Sequence, residues 1–340
     1  MLAGGRVRGS LLFTGPEGVG KKTLAWMVAK ALVCKNGPSD FCGACPTCRR
    51  AEEMLNAGRE DLALRRGMKD AARRGEGLIY FDLQLIEPLT RYILTEQVRQ
   101  MRSVAYTRPF EFAHRVFILD EAQSVHWQAV DLLLKVLEEP PDTSIFILVT
   151  PNAYELRPTI RSRCVRVPFQ PVEQALLLAV LAKDKHLTKA QQALAARVAA
   201  GSVAKAKTFD WGEYEKKRKP WLGFLEAVSR QASAPDWRLL FDSTRALAEN
   251  RDDLEATLTI GYSLLRDLLY VRTGGSQEEI VNLDLLPNLQ GWAAGLGLPG
   301  IEQMKVGLDQ AYRLQVRNVN QQLGFETLGI DLATGTGAGT

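Results

Sequence analysis

Apolar residues follow one period in the first half of the chain and another in the second. The first half carries them in short, nearly unbroken runs: Leu11-Leu12-Phe13, Leu78 to Ile86, Val116-Phe117-Ile118-Leu119, Ile145 to Val149, and Val165 to Pro168. The runs at 116–119 and 145–149 lack polar alternation and fit buried strands of a parallel sheet. Between the apolar runs the spacing turns helical. Leu24 to Leu32 is one such stretch, a second opens at Thr95 as N-cap and runs to about Val104, and a third covers Trp127 to Leu137 until Pro140-Pro141 breaks it. From Pro171 onward the strand-like runs disappear. Pro171-Val172-Glu173 is placed to begin a helix, Thr188-Lys189-Ala190-Gln191 is a capping box for the next, and Gly201-Ser202 closes that one and starts a third. Trp211 to about Leu332 is helical in pattern, with breaks near Pro220, Pro235, Gly274-Gly275, Pro287 and Pro299. The expected architecture is a parallel α/β sheet domain over 1–168 with an insert at 34–48, three helices over 169–209, and an all-α domain over 210–332. The low-complexity tail 333–340 is expected to be disordered.

Composition narrows the class without choosing a function. With 340 residues, 46% of them hydrophobic, the chain can bury ordinary cores in two or three domains. A net charge of +4 permits nucleic-acid contact without arguing for it. Neither a membrane-length apolar run nor a signal-peptide core is visible, so a soluble, cytoplasmic protein is expected.

Chemistry first appears at Gly15-Pro16-Glu17-Gly18-Val19-Gly20-Lys21-Lys22-Thr23, between the first strand and the first helix. Glycines let backbone N–H groups converge on a phosphate, the helix dipole adds positive potential, and Lys21 can reach terminal phosphates. The hydroxyl that holds Mg²⁺ belongs at position 22, where this chain has Lys22; Thr23 is turned about 100° away around the helix. Gly15, Gly18, Gly20, Lys21, Lys22 and Thr23 therefore form a loop able to hold phosphate and poorly equipped to present the metal of ATP/Mg²⁺. Asp120 and Glu121 follow the third apolar run, at the strand end where ligands of such sheets sit. Asp120 would hold a metal through water, and Glu121 would orient an attacking water.

Four of the five cysteines fall in the spacing C-x7-C-x2-C-x2-C: Cys34, Cys42, Cys45 and Cys48. Four thiolates fill a tetrahedral Zn²⁺ shell and leave no open position, so a structural zinc is expected; an iron–sulfur cluster is the other tenant of such a set. Residues 51–77 are polar and basic, with Arg65, Arg66, Lys69, Arg73 and Arg74 close together. A solvated face and a nucleic-acid contact both fit, the first being the commoner use of such a run.

Taken in order, the glycine loop, the cysteine insert, the Asp120-Glu121 strand end, Leu134-Lys135-Val136-Leu137-Glu138-Glu139-Pro140-Pro141 and Thr159-Ile160-Arg161-Ser162-Arg163-Cys164 resemble the AAA+ subunits of bacterial sliding-clamp loaders. Asn318-Val319-Asn320 resembles a segment of that family's collar. The resemblance implies an AAA+ nucleotide-binding-type domain, a three-helix lid and a helical collar that assembles with other subunits. It also implies a place in the ATP-dependent DNA polymerase III holoenzyme, loading the sliding clamp onto primed DNA. The implied partners are the gamma/tau motor and delta subunits, the clamp, and primer–template DNA touched through its phosphates.

Within that family the chain departs from the ATP-hydrolysing members. Lys22 replaces the metal-binding hydroxyl, and Ala204 follows Gly201-Ser202-Val203 where a motor subunit has a nucleotide-touching arginine. Only about ten residues precede the first strand, fewer than the adenine-packing segment of the motors. Intact Asp120 and Glu121 point the other way; in a stationary member Glu121 would be vestigial. Little ATPase is expected from this chain alone. The resemblance assigns the chemistry to Arg163, which would reach the γ-phosphate bound by a neighbouring subunit; pairing with a carboxylate of its own domain is the plain alternative. Arg161, two residues off, would project differently, and Cys164 reads as a small buried side chain. An ATP-hydrolysing motor subunit and a non-enzymatic zinc-dependent nucleic-acid-binding module remain as alternative functions.

Overall fold

The computed structural model describes residues 9–37, 40–69, 74, 81–183, 186–229, 235–249, 253–314 and 320–335. The chain divides into two compact units, Met1–Glu173 with Gly201–Ala204, and Gln174–Ala200 with Lys205–Thr340.

The first unit is built on strands β1 (Gly9–Thr14), β2 (Leu83–Ile86), β3 (Arg115–Leu119), β4 (Ser144–Thr150) and β5 (Val165–Pro168). All neighbours are parallel, in the order β2-β3-β4-β1-β5. Parallel pairing needs crossovers, supplied by helices α1 (Lys21–Val33), α2 (Pro46–Gly67), α3 (Thr95–Ala105), α4 (Val130–Glu138) and the single turn α5 (Pro158–Arg161). The unbroken apolar runs have a physical reason here, because successive strand residues serve opposite faces. Val116, Ile118, Ile145 and Ile147 pack with Ala25, Val28, Met54 and Leu55 on one side. Phe117, Leu119, Phe146 and Leu148 pack with Val98, Met101, Leu133 and Val136 on the other. The rings of Phe117 and Phe146, register partners on β3 and β4, stack 5.1 Å apart.

An ion pair is sealed at the N-terminal edge of this sheet. Arg115 and Asp82 are both fully buried, with Arg115 Nη2 3.1 Å from Asp82 Oδ1. Asp82 also accepts the backbone N–H groups of Phe110, Glu111 and Phe112, at 2.9, 2.7 and 3.0 Å. Arg115 donates to the carbonyls of Val104 and Arg108 and to the Thr107 hydroxyl. Every charge is answered, which is what makes burial tolerable.

The second unit is helical: α6 (Gln174–Leu181), α7 (Lys189–Val198), α9 (Trp211–Val228), α10 (Trp237–Ala248), α11 (Leu254–Thr273), α12 (Leu286–Leu314) and α13 (Gln321–Thr334), with the short α8 (Val203–Lys207) straddling the division. Trp221, Phe224 and Phe325 are at its centre, and Trp221 Nε1 donates to the Thr257 carbonyl at 2.8 Å. Gly261 lets that indole approach α11, since a Cβ there would lie 2.6 Å from the ring. Gly297 and Pro299 put a kink inside α12.

Several boundaries shift from expectation. Leu94 rather than Thr95 precedes α3, because Ile93 is held extended by bonds to Ser124 and His126. The helix expected at Pro171 begins at Gln174, and the Val172 N–H before it donates to the Gly201 carbonyl at 3.0 Å. The strand expected from Leu78 is observed from Leu83, and 78–80 lie outside the described residues. The final helix continues to Thr334, two residues into the expected tail, and ends at left-handed Gly335; 336–340 are outside the described residues. So are Asn318 and Val319, while Asn320 caps α13 by accepting the Gln322 N–H at 3.1 Å.

Removing one partner of the buried pair should be expensive. Asp82→Ala leaves the Arg115 guanidinium and three N–H groups unanswered, and is expected to lower the unfolding free energy of the sheet unit by about 3–5 kcal/mol, read as a shifted urea midpoint.

Candidate functional site

The glycine loop leaves β1 at the C-terminal edge of the sheet and enters α1 through Gly20, whose φ of 99° excludes most side chains. Its glycines are needed for close approach as well as for conformation. A Cβ on Gly15 would lie 2.3 Å from the Phe169 carbonyl, and one on Gly18 would lie 2.0 Å from Ser202 Oγ. The Ala204 N–H donates to the Gly18 carbonyl at 3.1 Å, so the Gly201–Ala204 segment is hydrogen-bonded onto the loop. This is the backbone position at which the resemblance expects a nucleotide-touching arginine in a motor.

Lys21 folds back into the loop. Its ammonium donates to the Gly15 and Pro16 carbonyls, both at 2.6 Å, and burial lowers its pKa against the opposing charges of Asp120 and Glu17. Lys22 points to the strand ends instead. Its ammonium bonds the Glu87 carboxylate and lies 3.2 Å from Asp120 Oδ2. Glu87 follows β2 as Asp120 follows β3, and the Asp120 N–H donates to the Ile86 carbonyl at 2.9 Å, setting the two acids side by side. Glu121 is exposed beside them in left-handed backbone, φ 50°. Its carboxyl is pushed up by burial first, then by the charges of Asp120 and Glu87. Thr23 is exposed on the next position of α1.

The magnesium ion that the resemblance implies does not fit these residues. Mg²⁺ needs an octahedron of oxygens at about 2.0–2.1 Å. Here the expected hydroxyl is absent, and the carboxylate that would receive the ion already holds an ammonium.

The cysteines do converge. The ligand atoms of Cys34, Cys42, Cys45 and Cys48 all lie within 4.8 Å of one another, with Cys34 Sγ and Cys42 Sγ 3.9 Å apart and none in a disulfide. The edge of a tetrahedron with metal–sulfur bonds of about 2.3 Å is about 3.8 Å, so this set could bind a metal ion. Pro46 starts α2, and Cys45 caps it by accepting the Cys48 N–H at 3.4 Å. Hydrogen bonds from Thr47 and from the Cys48 backbone bring the Cys45 thiol down to about 6; burial pushes Cys48 up to about 12.

Arg163 lies elsewhere. β5 runs parallel to β1, with Val165 opposite Leu11 and Pro168 opposite Thr14, so Arg163 enters at the N-terminal edge, away from the loop that follows Thr14. At about 3.3 Å per strand residue, the width of the sheet separates the two. Arg163 Nη2 is 2.6 Å from Glu138 Oε1, and Nη1 donates to the Thr159 carbonyl at 2.9 Å. Arg161 does project differently, with its guanidinium 4.8 Å from the exposed Tyr154 ring. Cys164 is half-buried, and desolvation raises its thiol to about 12.

Part of the basic run belongs to the site. Residues 46–67 form α2, and Arg66 from its last turn donates to Glu87 Oε2 at 2.7 Å. Arg65 is buried against Asp61 at 2.8 Å, while Arg73 lies outside the described residues. The sequence reading missed Glu87 and Arg66. An acid directly after an apolar run, ahead of Pro88, was the available signal for Glu87. Nothing in the sequence paired it with Arg66 or Lys22.

If the loop depends on contact with Ser202 and Ala204, Gly18→Ala should disrupt it. Strain at φ 73° and the clash with Ser202 are expected to cost at least about 1 kcal/mol, and to speed amide hydrogen exchange in Gly15–Gly20 while Asp82–Arg115 stays protected.

Residues 1–173 match the family model described as DNA polymerase III, delta subunit. The chain is 32% identical over 183 residues to DNA polymerase III subunit gamma/tau of Mycobacterium tuberculosis, covering 54% of this chain and only 28% of that protein. It is 23% identical over 333 residues to subunit delta' of Bacillus subtilis, covering 97% of this chain and 92% of that one. Among solved structures, a DNA polymerase III gamma subunit-related protein from Thermotoga maritima aligns over 97% of this chain and 96% of its own at 15% identity, with a TM-score of 0.46. The chain belongs to the DNA polymerase III delta subunit family, and it is similar along almost its whole length to a delta' subunit.

Proposed function

We propose that this protein is the stationary, delta'-type subunit of a DNA polymerase III clamp loader, and that it presents Arg163 to the ATP site of a neighbouring gamma/tau motor subunit. The observation that carries this reading is the placement of Arg163 at the sheet edge opposite its own glycine loop. An arginine there cannot serve the chain's own phosphate site, yet it is one-third exposed and available to another molecule. A guanidinium at a γ-phosphate offsets the charge that develops on the phosphate oxygens as the bond breaks. Glu138 and the Thr159 carbonyl hold it meanwhile. The engaged ammonium of Lys22 argues against the motor reading. Asp120 and Glu121 are then inherited parts of a fold that no longer turns over ATP itself.

In this reading the lid (169–209) and collar (210–332) connect the chain to the gamma/tau and delta subunits. The complete assembly meets the sliding clamp and primer–template DNA, the latter through phosphates and hence with strong salt dependence. Zn²⁺, held by Cys34, Cys42, Cys45 and Cys48, closes the start of α2 as a structural ion. Four thiolates leave it no site for a substrate.

In a reconstituted loader, Arg163→Ala is expected to cut clamp- and DNA-stimulated ATPase at the adjoining site by about 10³-fold or more without changing assembly on gel filtration. An unchanged rate would refute the trans role. Glu138→Ala releases the guanidinium rather than removing it, so a smaller loss of about tenfold is expected. Elemental analysis of reduced, untagged protein should give about one zinc per chain, and Cys48→Ser should abolish it. A metal-free wild-type preparation would overturn the zinc assignment.

A further inference from the structure

We infer that Lys22 is the resident cation of the glycine-loop site: its ammonium fills the seat between Asp120 and Glu87 that a divalent ion would take, and makes that edge of the sheet a permanent salt-bridged joint. The inference is independent of the role given to Arg163.

Three arrangements support it. Lys22 reaches carboxylates from two different strands, Glu87 after β2 and Asp120 after β3. The second oxygen of Glu87 is taken by Arg66 from α2, and Arg66 Nε also donates to the Pro88 carbonyl at 3.1 Å. Glu87 is thus answered on both oxygens, while the Gln97 amide fixes its carbonyl at 3.0 Å. Lys21, the other cation of the loop, is occupied with the Gly15 and Pro16 carbonyls and does not compete.

The local charges explain why the exchange is exclusive. Glu87, Asp120 and Glu121 face Lys22 and Arg66, the charge of Lys21 also acts on Asp120, and the Lys22 ammonium lies directly on Asp120. A dication entering there would meet that ammonium at contact range and find no hydroxyl from α1. Threonine at position 22 reverses both conditions. It removes one positive charge from beside Asp120 and Glu87, and it restores an oxygen ligand at the first turn of the helix. The site is therefore one substitution away from metal binding, and the lysine itself is what excludes metal.

Mn²⁺ is a suitable probe because the electron paramagnetic resonance of the free ion reports binding directly, and the zinc-loaded thiolates have little affinity for so hard an ion. Titrations would compare wild-type, Asp120→Asn, Lys22→Thr and Lys22→Thr/Asp120→Asn full-length chains. Wild-type and Asp120→Asn are expected to bind Mn²⁺ equally weakly. Lys22→Thr should gain one site at least about tenfold tighter than wild-type, lost again in its Asp120→Asn double variant. Its thermal midpoint should fall without metal and recover on adding Mn²⁺. A wild-type site that Asp120→Asn removes would overturn the inference, as would folded Lys22→Thr with no gained site. Should Lys22→Thr fail to fold, Lys22→Ser keeps both carboxylates and the restored hydroxyl, and absence of Mn²⁺ binding to that folded chain would count against the inference equally.

Discussion

One ammonium on two carboxylates governs how the sheet unit is read. In a fold whose glycine loop and acidic strand ends are arranged around phosphate and metal, the first turn of α1 ordinarily supplies an oxygen. Lys22 supplies a positive charge on a flexible stem, and the stem is long enough to reach both Asp120 and Glu87. The acids then need no ion from solution, and the loop needs no phosphate to be held. Its backbone is bonded to the Gly201–Ala204 segment through Gly18, and Lys21 is bonded to the Gly15 and Pro16 carbonyls of the loop.

The direction of the strands then separates two kinds of chemistry. Parallel strands send every β-to-α connection to one edge and every return to the other. The loop, Glu87, Asp120 and Glu121 gather at the C-terminal edge, where Lys22 joins Glu87 to Asp120. Glu138, at the end of α4, and Arg163, before β5, meet at the N-terminal edge as an exposed pair. An exposed pair of this kind contributes little stability. The buried Arg115–Asp82 pair at the same edge is its opposite: fully desolvated, fully hydrogen-bonded and unable to exchange. The same residue type thus makes two kinds of ion pair, set apart by solvent exposure.

Much of this was legible in the sequence because it rests on local rules. The unbroken apolar runs became strands covered on both faces, β3 and β4 above all, while the edge strand β5, Val165–Pro168, is largely exposed. Thr188 and Gln191 form the reciprocal cap that their spacing required. The cysteine spacing brought four sulfurs together. What escaped depended on contacts between distant segments. Val172 is hydrogen-bonded to the distant Gly201, and Glu87 acquires its meaning only when α2 delivers Arg66 and α1 delivers Lys22. The sequence showed that an oxygen was missing at position 22; it could not show what the lysine does instead, since that depends on the side-by-side pairing of β2 and β3.

The basic insert gains a physical role from the same geometry. α2 spans 22 residues, about 33 Å of helix. Its N-terminus is fixed by Cys45 and Cys48 in the four-sulfur cluster, and its last turn carries Arg65 to Asp61 and Arg66 to Glu87. Between these ends Ala51, Met54, Leu55 and Leu62 are buried against the sheet. A helix pinned at both ends and along one face behaves as a rigid strut, so the cysteine cluster and the acid cluster are two anchors of one element. Of the basic residues at its end, Arg66 is a counter-ion to the strand-end acid Glu87 and Arg65 pairs with Asp61 of the helix itself.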